Sequence, residues 1–184
     1  ALAAALFRRA EPGLALLAGV AVTVTSCGGV LFAAANTPAL FGQYTRESNI
    51  AYGAGSRRTL DLYLPERAAA SAAAPRRLRP LIVFWYGGSW VKGGKEQYRF
   101  VGAALALRGY VAVLPDYRVY PEVRFPDFMD DAARALKWAQ DNAVRLGADP
   151  QRIYVMGHSA GAHIAALLAR HAYEFQYLRL SRMT

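Results

Sequence analysis

Three short apolar runs, separated by segments with helical spacing, constrain the fold of this 184-residue chain more than any other feature. The runs are Leu81–Trp85, Tyr110–Leu114 and Ile153–Met156, and none alternates with polar residues as a half-exposed strand would. Between them, Glu96–Arg108 and Asp127–Leu146 carry apolar residues on one helical face. Strands that alternate with helices pair in parallel through right-handed crossovers. The sequence therefore predicts an α/β fold with a mostly parallel sheet and helices on both faces.

Further elements are expected on either side of this unit. Ser48–Tyr52 and Thr59–Leu64 have the composition of short strands, and the glycines of Gly53–Ser56 predict a turn between them. Glu66–Pro80 is rich in Ala, Arg and Pro and is typical of a surface loop. After the third apolar run, Ala160–Ala172 is rich in small residues and predicts a helix.

Composition removes several classes of protein. A chain with 54% hydrophobic residues is not disordered, and one cysteine excludes a disulfide framework and a cysteine-rich zinc site. The net charge of +9 comes from 19 Arg and three Lys against 13 acidic residues. These basic residues are scattered and form no stripe with interleaved aromatics, which argues against a nucleic-acid partner.

The N-terminal segment has the composition of a membrane or export sequence. Gly13–Thr45 contains no charged residue, and its apolar part, Gly13–Ala35, would span roughly 34 Å as a helix, enough to cross a bilayer. Arg8 and Arg9 precede it, as in a positive-inside start or a signal peptide.

Three interpretations of this segment remain open. Gly13–Ala35 is an uncleaved anchor, or Leu14–Val24 is the apolar part of a signal peptide that is cleaved before Cys27. Val24-Thr25-Ser26-Cys27 resembles the bacterial lipobox, which makes Cys27 a lipidation candidate. The third interpretation is a buried core helix with an inert cysteine.

The strongest chemical motif is Gly157-His158-Ser159-Ala160-Gly161, between the third apolar run and the small-residue helix. A G-x-S-x-G sequence at a strand-to-helix junction is typical of a nucleophile elbow. The turn is so tight that bulky residues two positions from the serine would clash, and the helix N-terminus favours a developing oxyanion. Ser159 is therefore the candidate catalytic residue, with an ordinary glycine-rich turn as the alternative.

A second motif, Tyr86-Gly87-Gly88-Ser89-Trp90, directly follows the first apolar run. Backbone N–H groups of such a loop, together with that of Ala160, can stabilise a developing oxyanion. The candidate oxyanion hole is thus Gly87, Gly88, Ser89 and Ala160, and the alternative is a plain turn between a strand and a helix.

With these two motifs, Asp116-Tyr117-Arg118 and Pro121, the region from Ser48 to about Ala169 resembles the α/β-hydrolase family. It is most similar to its bacterial carboxylesterase and lipase branch, which includes feruloyl-esterase-like and formamidase-like members. The resemblance implies hydrolysis of a small-molecule ester through an acyl-enzyme on Ser159, without metal or cofactor. Substrate-pocket candidates are Tyr86, Trp90 and His158. Tyr86 replaces the branch's usual histidine, and its hydroxyl can also donate a hydrogen bond to the loop.

The rest of the expected triad is missing from the sequence. The order in this fold is Ser, then Asp or Glu, then His. After Ser159 the chain offers Glu174, His163 and His171, and both histidines are expected on the helix that follows the serine, out of reach as a base. We therefore expect a C-terminally truncated hydrolase, either impaired in this form or a non-catalytic remnant.

The remaining charges have a structural interpretation. Asp116 and Arg118, and the adjacent Asp130 and Asp131, are expected to brace the scaffold, because neighbouring helix residues point apart and do not form a carboxylate pair. The apolar strand Ile153–Met156 is expected at an open sheet edge, which predicts poor solubility.

The predicted organisation has three parts. Residues 1–35 are a signal, lipoprotein or anchor segment, 36–47 a linker, and 48–184 the N-terminal part of an α/β-hydrolase domain. The predicted location is the bacterial cell envelope, with the segment at residues 1–35 in the membrane and the catalytic part on the extracytoplasmic side.

Overall fold

A computed structural model describes residues 29–66 and 78–181 of the chain. The strands are β1 (Tyr44–Ala51), β2 (Thr59–Pro65), β3 (Arg79–Trp85), β4 (Val111–Pro115) and β5 (Ala148–Gly157). The helices are α1 (residues 29–36), α2 (Arg99–Leu107), α3 (Asp127–Asn142) and α4 (Ala160–Ser181). Two 3-10 helices, Thr37–Leu40 and Lys95–Tyr98, precede β1 and α2.

Most of the predicted export segment lies outside the described residues. Arg8, Arg9, Leu14–Val24 and Cys27 all fall in residues 1–28, and much of the predicted loop falls in residues 67–77. Within residues 29–66 and 78–181, no helix has both the length and the apolar character needed to cross a bilayer.

The five described strands form one sheet in the order β1-β2-β4-β3-β5. β3 pairs in parallel with β4 and β5, while β2 is antiparallel to both β1 and β4. Within the described sheet β2 alone is therefore reversed, and the other four strands share one direction. This confirms the prediction of an α/β fold with a mostly parallel sheet.

Helices cover both faces of the sheet. α2 contacts β2 and β4, and a Cβ at Gly102 would lie 2.5 Å from the ring of Tyr63, so the helix packs almost directly on β2. α3 contacts α4, and α4 contacts β5 and β3. The connection through α2 moves from β3 to β4, whereas that through α3 returns past β3 to β5. Two right-handed crossovers in opposite directions place α2 and α3 on opposite faces.

The core lies in the three central strands. Each of their inward-facing aliphatic side chains stabilises the fold by about 1.5–3 kcal/mol when it leaves water. Fully or almost fully buried are Leu60, Leu62, Leu81, Val83, Val111 and Val113. On β5, by contrast, Tyr154 and Met156 are 53% and 45% exposed. The apolar segment Ile153–Met156 thus lies at an edge of the described sheet, as predicted.

Element boundaries differ from the predictions where apolar spacing is not decisive. The helix expected from Glu96 begins with a 3-10 turn, and its α-helical part begins at Arg99. α3 ends at Asn142, not Leu146, because the chain tightens there: Ala143 N–H donates to Gln140 O, only three residues back. Gly147, at φ +75°, reverses the chain directly after Leu146, as predicted for a C-terminal glycine. β5 already begins at Ala148, which pairs with Arg79 before a bulge. The apolar pattern does not predict this extension, because Asp149 and Pro150 separate Ala148 from the apolar run.

Candidate active site

Ser159 occupies a strained turn between β5 and α4. Its φ is +53°, in the left-handed region that costs a non-glycine residue about 1–3 kcal/mol, and its side chain is exposed. β5 ends at Gly157 and α4 begins at Ala160, so only His158 and Ser159 connect the strand to the helix. The N–H of Ala160 belongs to the first turn of α4, where amides have no acceptor within the helix. This is the geometry that the elbow motif predicts.

Close backbone contacts explain the two glycines of the motif. A Cβ at Gly157 would lie 2.2 Å from the carbonyl oxygen of Gly161, and a Cβ at Gly161 would lie 2.1 Å from that of Trp85. Both obstacles are backbone atoms, which cannot move aside as a flexible side chain can. His158 N–H also donates to Trp85 O at 3.1 Å, so a backbone hydrogen bond joins the elbow to the end of β3. The steric reason for glycine at both positions is confirmed.

The Gly-Gly loop lies directly beside Ser159. A Cβ at Gly87 would be 2.9 Å from the Cβ of Ser159. Gly88 has φ +140°, and Ser89 and Trp90 follow at +54° and +59°. Gly88 O accepts hydrogen bonds from the next two amides after Trp90, both at 3.1 Å. The structure therefore brings the two motifs together, with a tightly wound loop against the serine.

Tyr86 lies beneath this loop. Its ring is 1% exposed and stacks on Tyr117 at 4.5 Å, and Arg57 donates to its hydroxyl at 3.0 Å. Burial raises the pKa of the Tyr86 phenol above its ordinary value. Arg57 also donates to Gly93 O at 2.7 Å and to Tyr117 O at 3.0 Å. Tyr86 thus supports the loop from below, and its side chain is not open to solvent.

His158 and Trp90 lie at the sides of the serine. His158 is exposed, and its Nδ1 is 2.9 Å from the hydroxyl of Tyr98 and close to Gly87. Trp90 stacks on Phe128 at 5.9 Å, and the ring of His163 meets its edge at 5.6 Å. Both candidate pocket residues therefore have defined positions next to the loop.

The remaining histidine and acid of the C-terminal part lie along α4. The helix is continuous through residues 171 and 174, whose side chains fall outside the description. His171 is about 18 Å from Ser159 along the axis. This agrees with the expectation that α4 does not supply a base.

Buried ion pairs hold the loops around the site. Asp131 is fully buried and accepts from Arg118 Nε at 2.7 Å and from Arg58 Nε at 2.9 Å. Burial alone would raise the pKa of Asp131, but these hydrogen bonds outweigh it and hold the pKa below its ordinary value. Asp116 pairs with Lys95 at 2.6 Å. Asp130, one residue before Asp131, is exposed. The bracing role expected for Asp116, Arg118 and Asp131 is thus seen directly.

A cleft of about 510 Å³ opens beside the Gly-Gly loop. Gly87, Gly88 and Gly93 form one wall, and Phe32 and Ala33 of α1 contribute to the other. Asn36, Lys92, Glu96 and Gln97 also line the cleft, so polar and charged groups lie beside its apolar part. Such a lining suits a ligand that has both polar and apolar parts.

Three supporting residues are not evident from the sequence. Tyr98 contacts His158, Arg57 supports the loop, and Lys95 is 6% exposed against Asp116. Tyr98 and Arg57 contact partners that lie 60 and 36 residues away in the sequence, and a local motif cannot predict such pairs. The only sequence signal is Tyr86 in place of the usual histidine, because the hydroxyl of a buried tyrosine needs a hydrogen-bond partner.

The comparisons with known proteins agree on one class. The BD-FAE family model matches residues 60–177. The chain is 40% identical over 126 residues to an isoprenylcysteine alpha-carbonyl methylesterase of Arabidopsis thaliana, covering 68% of this chain and 28% of that protein. It is 42% identical over 92 residues to a carboxylesterase of Mycobacterium tuberculosis, covering 50% of this chain and 29% of that protein.

The solved structures agree with this class. A hyperthermophilic esterase from the archaeon Pyrobaculum calidifontis superimposes with a TM-score of 0.68 at 32% identity, covering 84% of this chain and 48% of the esterase. The chain thus spans less than a third of these curated relatives and about half of the solved esterase.

Proposed function

The chain belongs to the BD-FAE family of α/β-hydrolases, and on that premise we propose that it forms part of a serine carboxylesterase acting through an acyl-enzyme on Ser159. The observation that carries the proposal is the left-handed Ser159, φ +53°, with Gly87 packed against its Cβ. A strained serine facing a glycine loop at a helix N-terminus is the arrangement that acyl transfer requires.

The proposed reaction has two halves. Ser159 Oγ attacks the ester carbonyl, and the N–H groups of Gly88, Ser89 and Ala160 stabilise the negative oxygen of the tetrahedral intermediate. The C–O bond of the alcohol then breaks, and the alcohol leaves with the proton taken from the serine. Water attacks the acyl-enzyme in the same way and releases the carboxylic acid. Each oxyanion donor is expected to contribute about 10²–10³-fold in rate.

We place the general base outside the described residues. His158 is held by Tyr98 and His163 lies against Trp90, so each already has a structural partner. A histidine and an orienting acid on other segments of the full-length protein would complete the site, since the relatives are much longer than the matched region.

The substrate is a small-molecule ester. Among the relatives, the Arabidopsis protein is named for a methyl ester and the mycobacterial one for carboxylic esters in general. The apolar wall at Phe32 and Ala33 supports an ester with a hydrophobic acyl or alcohol group.

We also retain the proposal of a membrane-associated location in the bacterial cell envelope. Its support is the uncharged run Gly13–Thr45 behind Arg8 and Arg9. The intact mass of the protein after bacterial expression distinguishes the two routes, because cleavage before Cys27 with lipidation changes the mass and a retained anchor does not.

Hydrolysis of p-nitrophenyl butyrate tests the function. The full-length protein is expected to turn over the ester, and Ser159→Ala is expected to lose at least about 10⁴-fold. Full activity in Ser159→Ala would contradict the proposal.

A second candidate, a non-catalytic hydrolase-like module, is favoured by the structural engagement of His158 and His163. It predicts no turnover in either length of protein. Turnover by residues 1–184 alone would instead contradict our placement of the base on another segment.

A further inference from the structure

A second cavity adjoins the cleft along α1. It measures about 320 Å³ and is lined by Asn36, Thr37, Leu40, Tyr44, Arg46 and Arg99. Ala33 and Asn36 line both this cavity and the cleft beside the Gly-Gly loop. α1 therefore lines both a cationic cavity and the cleft beside the Gly-Gly loop.

Arg99 gives this cavity an uncompensated positive charge. Arg46 donates to Asp61 at 2.6 Å, so its charge is balanced. Arg99 Nε is buried without a hydrogen-bond partner, and within residues 29–66 and 78–181 Arg99 forms no ion pair. A half-buried guanidinium without a counter-ion loses hydration and gains nothing in return. An anionic oxygen in the cavity would supply the missing interaction.

Large exposed apolar side chains lie on residues 30–41, the segment that also contributes to the cavity lining. Val30 and Leu31 of α1 are 66% and 68% exposed, and Leu40 and Phe41 after the 3-10 helix are 72% and 83% exposed. Single exposed apolar residues are common, but four within the twelve residues 30–41 are more than a solvent-facing segment needs, and they favour a partner. Leu40 also lines the cavity, so the apolar cluster and the cation are adjacent.

We propose that Val30, Leu31, Leu40, Phe41 and Arg99 form a docking surface for a bilayer that contains anionic phospholipid. The four apolar side chains enter the boundary between head groups and acyl chains, and Arg99 binds a lipid phosphate. The residues leading into α1, 13–28, carry no charge, so nothing in the preceding segment opposes this placement. Exposed apolar side chains on the same segment as a cation-lined cavity match an anionic amphiphile better than a soluble anion.

The inference deepens the proposed membrane location and extends the proposed substrate class. Because α1 is shared by the docking surface and the cleft, docking brings the cleft to the membrane surface. The enzyme would then draw its esters from the lipid phase, which favours long-chain or membrane-dissolved esters over water-soluble ones.

A fluorescence experiment tests the surface without using hydrolysis. In the Cys27→Ser, Ser159→Ala chain, an environment-sensitive fluorophore is attached at Phe41→Cys or, as a control, at Val144→Cys, which is 65% exposed after α3. Vesicles contain phosphatidylcholine alone or with phosphatidylglycerol. We expect a blue shift at position 41 with anionic vesicles and none at position 144. Binding to vesicles while the label at position 41 stays in water would overturn the proposal.

Charge variants complete the test. Arg99→Gln is expected to weaken binding to anionic vesicles about fivefold, whereas Arg134→Gln, exposed on α3, changes it little. A second variant, Leu40→Ser with Phe41→Ser, should weaken binding to both vesicle types. Equal binding by Arg99→Gln and the parent would overturn the role of Arg99, and displacement by free glycerol phosphate would assign the cavity to a soluble anion instead. Because Ser159 is absent throughout, failure here leaves the esterase proposal standing.

Discussion

The two edges of the sheet meet solvent in opposite ways. At one edge, β1 exposes Glu47, Ser48 and Asn49, polar residues that discourage pairing with another strand. At the other, β5 exposes Tyr154 and Met156. The nucleophile elbow is attached to this second, apolar edge, so Ser159 is positioned by the less protected side of the sheet.

The loops on the two sides are also fixed by different forces. On the β1–β2 side, Arg57 donates to Gly93 O in the loop after β3, and Arg58 pairs with Asp131 on α3; both contacts are partly buried. On the β5 side, Gly157 and Gly161 allow backbones to touch. Charged and polar contacts thus position the loops on the β1–β2 side, and close backbone packing positions the elbow on the β5 side. Substitutions and changes of pH should therefore alter the stability of the two sides differently.

The largest effect is expected for Asp131→Asn. The substitution removes the buried carboxylate that pairs with Arg58 and Arg118, whose side chains are 24% and 23% exposed, and it should cost about 3 kcal/mol. Asp130→Asn is the matched control, because Asp130 is exposed and its interaction with the helix dipole is worth at most about 1 kcal/mol. Urea denaturation measures both. Similar losses for the two variants would refute the contrast between the two sides.

The same carboxylate gives a pH dependence. Because the folded-state pKa of Asp131 lies below its ordinary value of 3.8, its contribution to the free energy of unfolding is complete above about pH 4. It is lost as the pH falls through the lowered folded-state pKa. The stability difference between the parent and Asp131→Asn should therefore be constant from pH 7 to about pH 5 and shrink below pH 4. A difference that grows in acid would contradict the assignment.

A steric change on the β5 side should come next in size. In Gly161→Ala the added Cβ meets Trp85 O at 2.1 Å, and overpacking of this kind costs about 1–3 kcal/mol and displaces Ser159. Gly29→Ala serves as the control, because nothing lies within 4 Å of that position. Thermal denaturation at pH 7 and pH 4 should show a loss that does not depend on pH. A pH-dependent loss would mean that charge also holds this side.

Tyr98→Phe should have a smaller effect. It removes the hydroxyl 2.9 Å from His158 Nδ1, and one such hydrogen bond is worth about 1 kcal/mol. Since His158 lies against Gly87, the full-length protein should lose a few-fold in kcat with little change in KM. Tyr154→Phe, at the exposed edge, is expected to match the parent. An unchanged kcat in Tyr98→Phe would remove Tyr98 from the positioning of the loop.

The smallest effect on stability is expected at the open edge itself. Met156→Lys places a charge on exposed β5 and should change the free energy of unfolding by no more than about 0.5 kcal/mol. It should nevertheless reduce self-association, because a charged edge strand pairs poorly. Sedimentation velocity compares it with Val144→Lys, which lies away from the edge. Equal self-association of the two variants would show that the protein does not associate through β5.

The sequence predicts the central strands and the elbow well, and for a physical reason. Runs such as Leu81–Trp85 are buried on both faces, and glycine at 157 and 161 reflects a steric need that few other turns share. Both signals are local. The predicted end of α3 at Leu146 differs from Asn142 because apolar spacing does not reveal that residues 143–146 wind more tightly, whereas the glycine expected to end the helix, Gly147, does reverse the chain.

The supporting network could not be read in the same way. Arg57 looked like one member of a scattered basic set, and its contacts with Tyr86 and Gly93 depend on how the chain folds over tens of residues. Sequence analysis proposes Tyr86 both for the substrate pocket and for support of the loop, and its buried ring is consistent with the second role. The local pattern thus identifies the candidate nucleophile, Ser159, whereas tertiary contacts determine which residues support it.

The most direct test of the central claim is covalent labelling of Ser159. The full-length protein is treated with a fluorophosphonate and its intact mass measured, followed by peptide mapping, with Ser159→Ala as the control. We expect one adduct, on the peptide that contains Ser159, and none in the variant. An unlabelled protein, or an adduct of equal yield in Ser159→Ala, would contradict a nucleophilic serine at this turn.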